Sequence, residues 1–298
     1  HHFITKHLIR SSFVNKPRPV LINNWEATYF EFTEEKILQL AQVASRAGIE
    51  LFVLDDGWFG KRNNDESSLG DWKVNLDKLP NGLNGLAERI NELGMKFGLW
   101  FEPEMISIDS DLYREHPDWA IHIEGRLPIY SREQLVLDLT KQEVCDYIID
   151  NVSSILESAN ITYVKWDMNR NITNIPEGLA NDQRFEFHHR YMLGLYRVLD
   201  HLTKRFPDIL FESCAGGGGR NDLGIMYYMP QAWASDDTDA IERLSIQEGT
   251  SLIYPPSSIG AHVSAVPNHQ VGRITPLATR GNVAMMGGAF GYELDLTK

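Results

Sequence analysis

Along the chain, short apolar runs alternate with longer stretches whose apolar positions recur at helical spacing. Val20–Ile22 reads as a short strand ending in Asn23, Asn24, Trp25 and Glu26. Ile37, Leu40, Ala41 and Ala44 follow the i, i+3, i+4, i+7 stripe of a helix that Gly48 closes. Leu51–Leu54 is a continuous apolar run of the kind a parallel sheet buries on both faces, and it ends in Asp55 and Asp56. Leu83, Leu86, Ile90 and Leu93 mark a second amphipathic helix, closed by Gly94, before a strand at Phe97–Phe101 that runs into Glu102, Pro103 and Glu104. Thr140 and Glu143 have the spacing of a capping box, predicting a helix with Val144, Ile148, Val152 and Ile155 on its buried face. A strand at Ile161–Trp166 ends at Asp167, and a long helix around Phe187–Phe206 precedes a strand at Ile209–Phe211. Gln231–Ser235 ends in Asp236 and Asp237 before a helix at Ile241–Glu248, and the last two strands are expected near Ser257–Ala261 and Asn282–Met286.

This is about eight β/α units without a low-complexity linker, which implies a parallel sheet closed as a (β/α)8 TIM barrel. The alternative, an open doubly wound sheet, usually carries a Gly-rich turn after its first strand, and LINNWEATYF has none. A single barrel over residues 1–298, with 1–19 as a linker-like lead-in, is therefore expected.

Composition narrows the function classes. The 28 Lys+Arg against 41 Asp+Glu give a formal net charge of −13, which disfavours nucleic acid and anionic membrane surfaces as partners. No apolar run is long enough to span a bilayer, and HHFITKHLIRSSF lacks the apolar core of a signal peptide. Cys145 and Cys214 cannot form a disulfide framework, and a cytoplasmic location is expected.

In a parallel barrel the C-terminal strand ends converge on one mouth. Here those ends carry Asp55, Asp56, Glu102, Glu104, Asp167, Glu212, Asp236 and Asp237, with Trp25, Trp58, Trp100, Trp166 and Trp233 beside them. Any one acid could simply cap a helix, but all of them together point to a site. Carboxylates accept hydrogen bonds from hydroxyls and flat indoles cover apolar C–H faces, so the mixture suits a neutral polyhydroxyl ligand such as a sugar. A divalent metal is the minority reading: Lys165 shares a strand face with Asp167, and no H-x-H or H-E-x-x-H pair occurs. There is no G-x-S-x-G elbow, and Gly216–Gly219 runs into Arg220 rather than G-K-[ST], so the glycines are expected to let backbone approach a ligand. Asp167 and one of Asp236 and Asp237 supply the two carboxyls that glycoside hydrolysis needs. Lys165 is expected to keep Asp167 ionised, and like-charge crowding within the Asp236/Asp237 pair to raise one of them.

The segments LDDGWFG, LWFEPEM, YVKWDMNR, ESCAGGGGR, WASDDTDAIERL and IGAHVSAVPNHQ, in this order, resemble the catalytic domain of bacterial α-galactosidases of glycoside hydrolase family 36. The resemblance implies a retaining, cofactor-free and metal-free exo-enzyme that removes terminal galactose from α-galactoside oligosaccharides of the melibiose and raffinose type. It makes Asp167 the nucleophile and an Asp of SDDTD the acid/base, assigned to Asp237 with Asp236 as runner-up. Asp55, Asp56, Trp100, Arg132, Lys165, Asn169, Cys214 and Gly217 become substrate-binding residues. It also implies an N-terminal β-sandwich and a C-terminal β domain, both missing here, and homo-oligomeric full-length relatives. The near alternatives are an α-N-acetylgalactosaminidase or a galactosyl-transferring relative. A non-catalytic galactose-binding fragment and a metal-dependent lyase are the readings from other classes.

Overall fold

The computed structural model describes residues 1–9, 13–14, 16–123, 125–176, 179 and 181–298. Its centre is a ring of parallel strands: β1 (Leu21–Asn23), β2 (Leu51–Leu54), β3 (Lys96–Phe101), β4 (Ile161–Trp166), β5 (Leu210–Ser213), β6 (Gln231–Trp233), β7 (Ile259–Ser264) and β8 (Ala289–Glu293). Each pairs with the next in chain order, and β8 pairs back onto β1 through Gly291 and Leu21, so the sheet closes. Helices α1 (Glu34–Arg46), α2 (Gly82–Glu92), α3 (Gln142–Ser158), α4 (Asn181–Arg205), α5 (Leu223–Tyr228), α6 (Ala240–Ser251) and α7 (Leu277–Ala284) each follow the strand of the same number. This is the expected TIM barrel.

Strand alternation separates two environments. Outward residues such as Phe52, Leu54, Phe97, Leu99 and Val164 share one buried core with the helix stripes Ile37–Leu40–Ala44, Leu83–Leu86–Ile90 and Val144–Ile148–Val152. Inward residues are apolar at the bottom, where Leu21, Leu51, Val53, Tyr163 and Leu210 pack together with Phe13 beneath them. Above that layer the interior turns polar, with Asn23, Lys165, Glu212, Gln231 and Glu293 all buried.

Three local expectations are corrected. Asn282–Met286 is not a strand: α7 covers its first half and Met285 and Met286 are exposed, while the eighth strand lies later, at Ala289–Glu293. The capping box does not form, because the Thr140 hydroxyl donates to Asp138 Oδ1 (2.6 Å) and α3 starts at Gln142 without a side-chain cap. The lead-in is docked rather than loose, since Ile4 and Ile9 are buried against Met226 of α5; residues 10–12 and 15 within it lie outside the described residues. His188 and His189 are exposed on α4.

Candidate active site

At the C-terminal mouth of the barrel lies a cavity of about 350 Å³. Trp25, Asp55, Asp56, Trp100, Arg132, Lys165, Asp167, Asn169, Cys214 and Asp236 face it. So do Glu26, Trp233, Thr238, His269, Gln270 and Glu293. Each barrel strand except β7 places a residue here directly or just past its end, as the fold requires.

Asp167 follows β4, and three protein donors meet its carboxylate. Its Oδ2 accepts from Asn169 Nδ2 (2.6 Å) and Trp100 Nε1 (3.2 Å), and its Oδ1 from the Met168 amide (2.8 Å). Asn169 is fixed in turn, its Oδ1 accepting from Arg132 Nη1 (2.7 Å) and the Gly216 amide (3.1 Å), and its own amide donating to Glu102 Oε1 (2.5 Å). Arg132 reaches in from the loop after β3 in the left-handed region (φ 53°), and Gln134 of the same loop donates to Glu102 Oε1 (2.6 Å). These donors fix the position of the Asp167 carboxyl.

Lys165 does not pair with Asp167 as expected; its Nζ donates to Asp55 Oδ2 (2.9 Å), which also accepts from Asn23 Nδ2 (2.6 Å). The reason is register: Leu54 pairs with Leu99 and Leu99 with Val164, so Asp55 comes level with Lys165, whereas Asp167 lies two residues further along the strand direction. Burial would lower the Lys165 pKa, but Asp55, Cys214, Glu293 and Asp167 outweigh it and raise it well above the ordinary value. Asp56 is gripped by Arg62 through Nε (3.1 Å) and Nη2 (2.9 Å). The Cys214 thiol is buried, and burial with Asp167 pushes its pKa well up.

The second candidate carboxyl facing the cavity is Asp236, not Asp237. β6 stops at Trp233 and the chain bends, so Asp236 faces the cavity. Asp237 instead accepts the Asp239 amide on Oδ1 (3.0 Å), inside the turn that leads to α6. Burial and then Asp167 raise the Asp236 pKa, while Lys165 and Arg132 oppose them. The expected crowding within the Asp236/Asp237 pair is not among those causes.

Gly217 is likewise displaced from its expected role. It does not face the cavity; at φ 83° it abuts the backbone before Asp236, where a Cβ would come within 2.6 Å of the Asp236 nitrogen. Gly218 meets Ala234 O in the same way. Gly217 and Gly218 therefore let two protein segments come together closely.

Of the five tryptophans, Trp25, Trp100 and Trp233 face the cavity. Trp58 and Trp166 are buried behind it, donating to Trp100 O (2.9 Å) and Glu104 Oε1 (2.9 Å). Glu104 is neutralised by Arg220 and Glu212 is tied to Gln231, so neither reaches the cavity. Sequence reasoning missed Glu293, Thr238, His269 and Gln270 as wall residues. Glu293 was hidden by the misplaced last strand, although the alternation in AFGYE was its signal. Glu26 accepts from the Thr238 hydroxyl (2.6 Å) and the Ala265 amide (3.1 Å), and burial together with Glu293 pushes its pKa up to about 8. Among the described residues, no three His, Cys, Asp or Glu side chains group as a metal site.

Comparison with known proteins places this arrangement. The Melibiase family model matches residues 1–298. The chain is 62 % identical over 299 residues to α-galactosidase AgaA of Geobacillus stearothermophilus and 58 % identical over 299 residues to α-galactosidase Mel36A of Lactobacillus acidophilus. Both alignments cover 100 % of this chain and 41 % of the relative, so the chain spans well under half their length. A crystal structure of an AgaA variant in complex with raffinose superposes with a TM-score of 0.98 at 61 % identity, covering 100 % of this chain and 42 % of that one. A second AgaA variant, in complex with stachyose, matches with a TM-score of 0.97. The chain therefore belongs to the melibiase family of glycoside hydrolase family 36.

Proposed function

We propose that this chain is the catalytic barrel of a retaining exo-α-galactosidase acting on terminal α-linked galactose of raffinose-type oligosaccharides. One observation carries the reading: two carboxyls face one small cavity in opposite environments, Asp167 under three donors and Asp236 with its pKa raised by burial. That asymmetry is the division of labour glycoside hydrolysis needs. Asp167 attacks the anomeric carbon while Asp236 gives its proton to the departing glycosidic oxygen, leaving galactose esterified to Asp167. Asp236, now a carboxylate, takes a proton from water; the water oxygen bonds to the anomeric carbon, and Asp167 leaves as a free carboxylate. Asp55, Asp56, Arg132, Lys165, Asn169 and Cys214 surround the cavity as hydroxyl partners, and Trp100 and Trp25 supply flat apolar walls. The raffinose and stachyose complexes of the related AgaA support the substrate class.

The acid/base role moves from Asp237 to Asp236, because a carboxyl bound inside the next turn cannot reach a leaving group in the cavity. Trapping with an activated 2-fluorogalactosyl reagent and peptide mapping tests the scheme. Label on Asp167 is expected; label on another residue, or none under conditions of turnover, overturns it. Comparison of p-nitrophenyl α-galactoside with its 2-N-acetyl analogue separates galactose from N-acetylgalactosamine specificity.

A further inference from the structure

We propose that Arg243 is the positioning residue for Asp236: it grips backbone carbonyls on both sides of that residue and so aims the carboxyl into the cavity. The inference rests on the acid/base reading above. Arg243 stands in the first turn of α6, a helix capped by Asp239, whose Oδ1 accepts from the Ile241 and Glu242 amides. The guanidinium is buried, with 3 % of the residue exposed. Its Nη2 donates to Ser235 O (2.7 Å), its Nε to Asp237 O (2.7 Å) and its Nη1 to Gly260 O of β7 (3.2 Å). The first two acceptors flank Asp236 directly. The third ties the same fork to the neighbouring strand, so the bend is referenced to the barrel and not only to its own helix.

The rest of the surroundings fit a clamp. The guanidinium lies 4.1 Å from the centroid of the Trp233 ring, which itself faces the cavity. On the other side of the bend, Gly217 and Gly218 press against Ala234–Asp236 so closely that no Cβ fits. Asp236 is thereby held between a rigid fork and a tight turn. Among the described residues no carboxylate bridges to Arg243; its hydrogen bonds go to main-chain oxygens. Burial lowers its pKa to about 10 while Glu293, Asp236, Asp237 and Glu212 oppose the fall, so it stays a cation at neutral pH. A planar five-donor group suits this task, whereas a lysine supplies one point of attachment.

A residue that only held the fold would affect every substrate alike, whereas one that aims the acid matters only when the leaving group needs a proton. The test compares kcat/KM for raffinose, whose sugar leaving group needs protonation, with α-galactosyl fluoride, whose leaving group does not. Arg243→Lys and Arg243→Gln are measured beside Asp236→Ala. We expect each Arg243 variant to lose about 100-fold on raffinose, the low end of general-acid effects, and less than about 5-fold on the fluoride. Equal losses on both substrates, or no loss on raffinose, overturn the proposal. Asp236→Ala separates the two levels: if its own loss is not selective for raffinose, the acid/base reading fails, and if it is selective while the Arg243 variants are not, only the positioning role fails. Should Arg243→Gln not accumulate as folded protein, Arg243→Lys, which keeps the buried charge, carries the comparison.

Discussion

Asp167 and Asp236 face one cavity but are held by different means. Asp167 is fixed through its own oxygens, which take hydrogen bonds from Trp100, Met168 and Asn169. Asp236 is fixed through its backbone, with Arg243 on the flanking carbonyls and glycines against the chain. Donors aimed at carboxylate oxygens stabilise the ion, while a clamp on the main chain leaves the carboxyl itself free to carry a proton. Geometry can thus be enforced in two ways with opposite electrostatic consequences, and a site that needs one base-like and one acid-like carboxyl uses both.

The largest expected effect breaks the Asp167 side outright. Asp167→Asn should lower turnover by about 10⁴-fold or more on raffinose and α-galactosyl fluoride alike, because loss of a nucleophile spares no leaving group. A surviving, substrate-selective activity in steady-state kinetics would reverse the roles of the two acids. Removing the cation one layer below comes next. Lys165→Met strands the buried Asp55 carboxylate, and denaturant unfolding should show a loss of about 3–5 kcal/mol. Asn169→Ala removes one of three donors and should cost about 1.5–3 kcal/mol of transition-state stabilisation, read as a fall in kcat/KM shared by both substrates.

A pH-dependent effect concerns Glu102, which anchors the Asp167 side through Asn169 while its Oε2 has no partner. Burial, with Asp167 adding to it, pushes its pKa up to about 8 from an ordinary value of 4.5. The folded state then holds a proton that the unfolded chain has released, so the stabilisation is full below about pH 4.5 and is lost as pH rises through 8. Glu102→Gln cannot ionise, and its stability relative to the parent should rise across that window in paired melts. A flat difference would show that Glu102 is already charged beside Asp167.

The parts of the fold that could be read from the sequence were those where an apolar run ends sharply in acids. Leu51–Leu54 and Ile161–Trp166 are strands with the expected limits, each short, rich in apolar and aromatic residues and bounded by an acid. The eighth strand escaped because Val283–Met286 is apolar yet closes a helix, while AFGYE carries its glycine and tyrosine into the barrel wall. Site residues on or next to strands, such as Asp55, Trp100, Lys165 and Asp167, were placed at the mouth by period alone. Asp236 was not. Continuing the alternation of Gln231 and Trp233 would turn Asp237 inward, and the bend that reverses this depends on Arg243 and Gly217, contacts between segments that no local pattern encodes.

The closed order of the strands has a consequence for how this molecule acquires its chemistry. Lys165 meets Asp55 across 110 positions, Glu26 meets Ala265 across 239, and β1 must find β8 before the ring exists. No contiguous half of the chain holds the whole cavity, because its walls are drawn from Trp25 through Glu293. Sugar binding should therefore appear in refolding only after helical signal has recovered, which makes it a reporter of ring closure rather than of collapse.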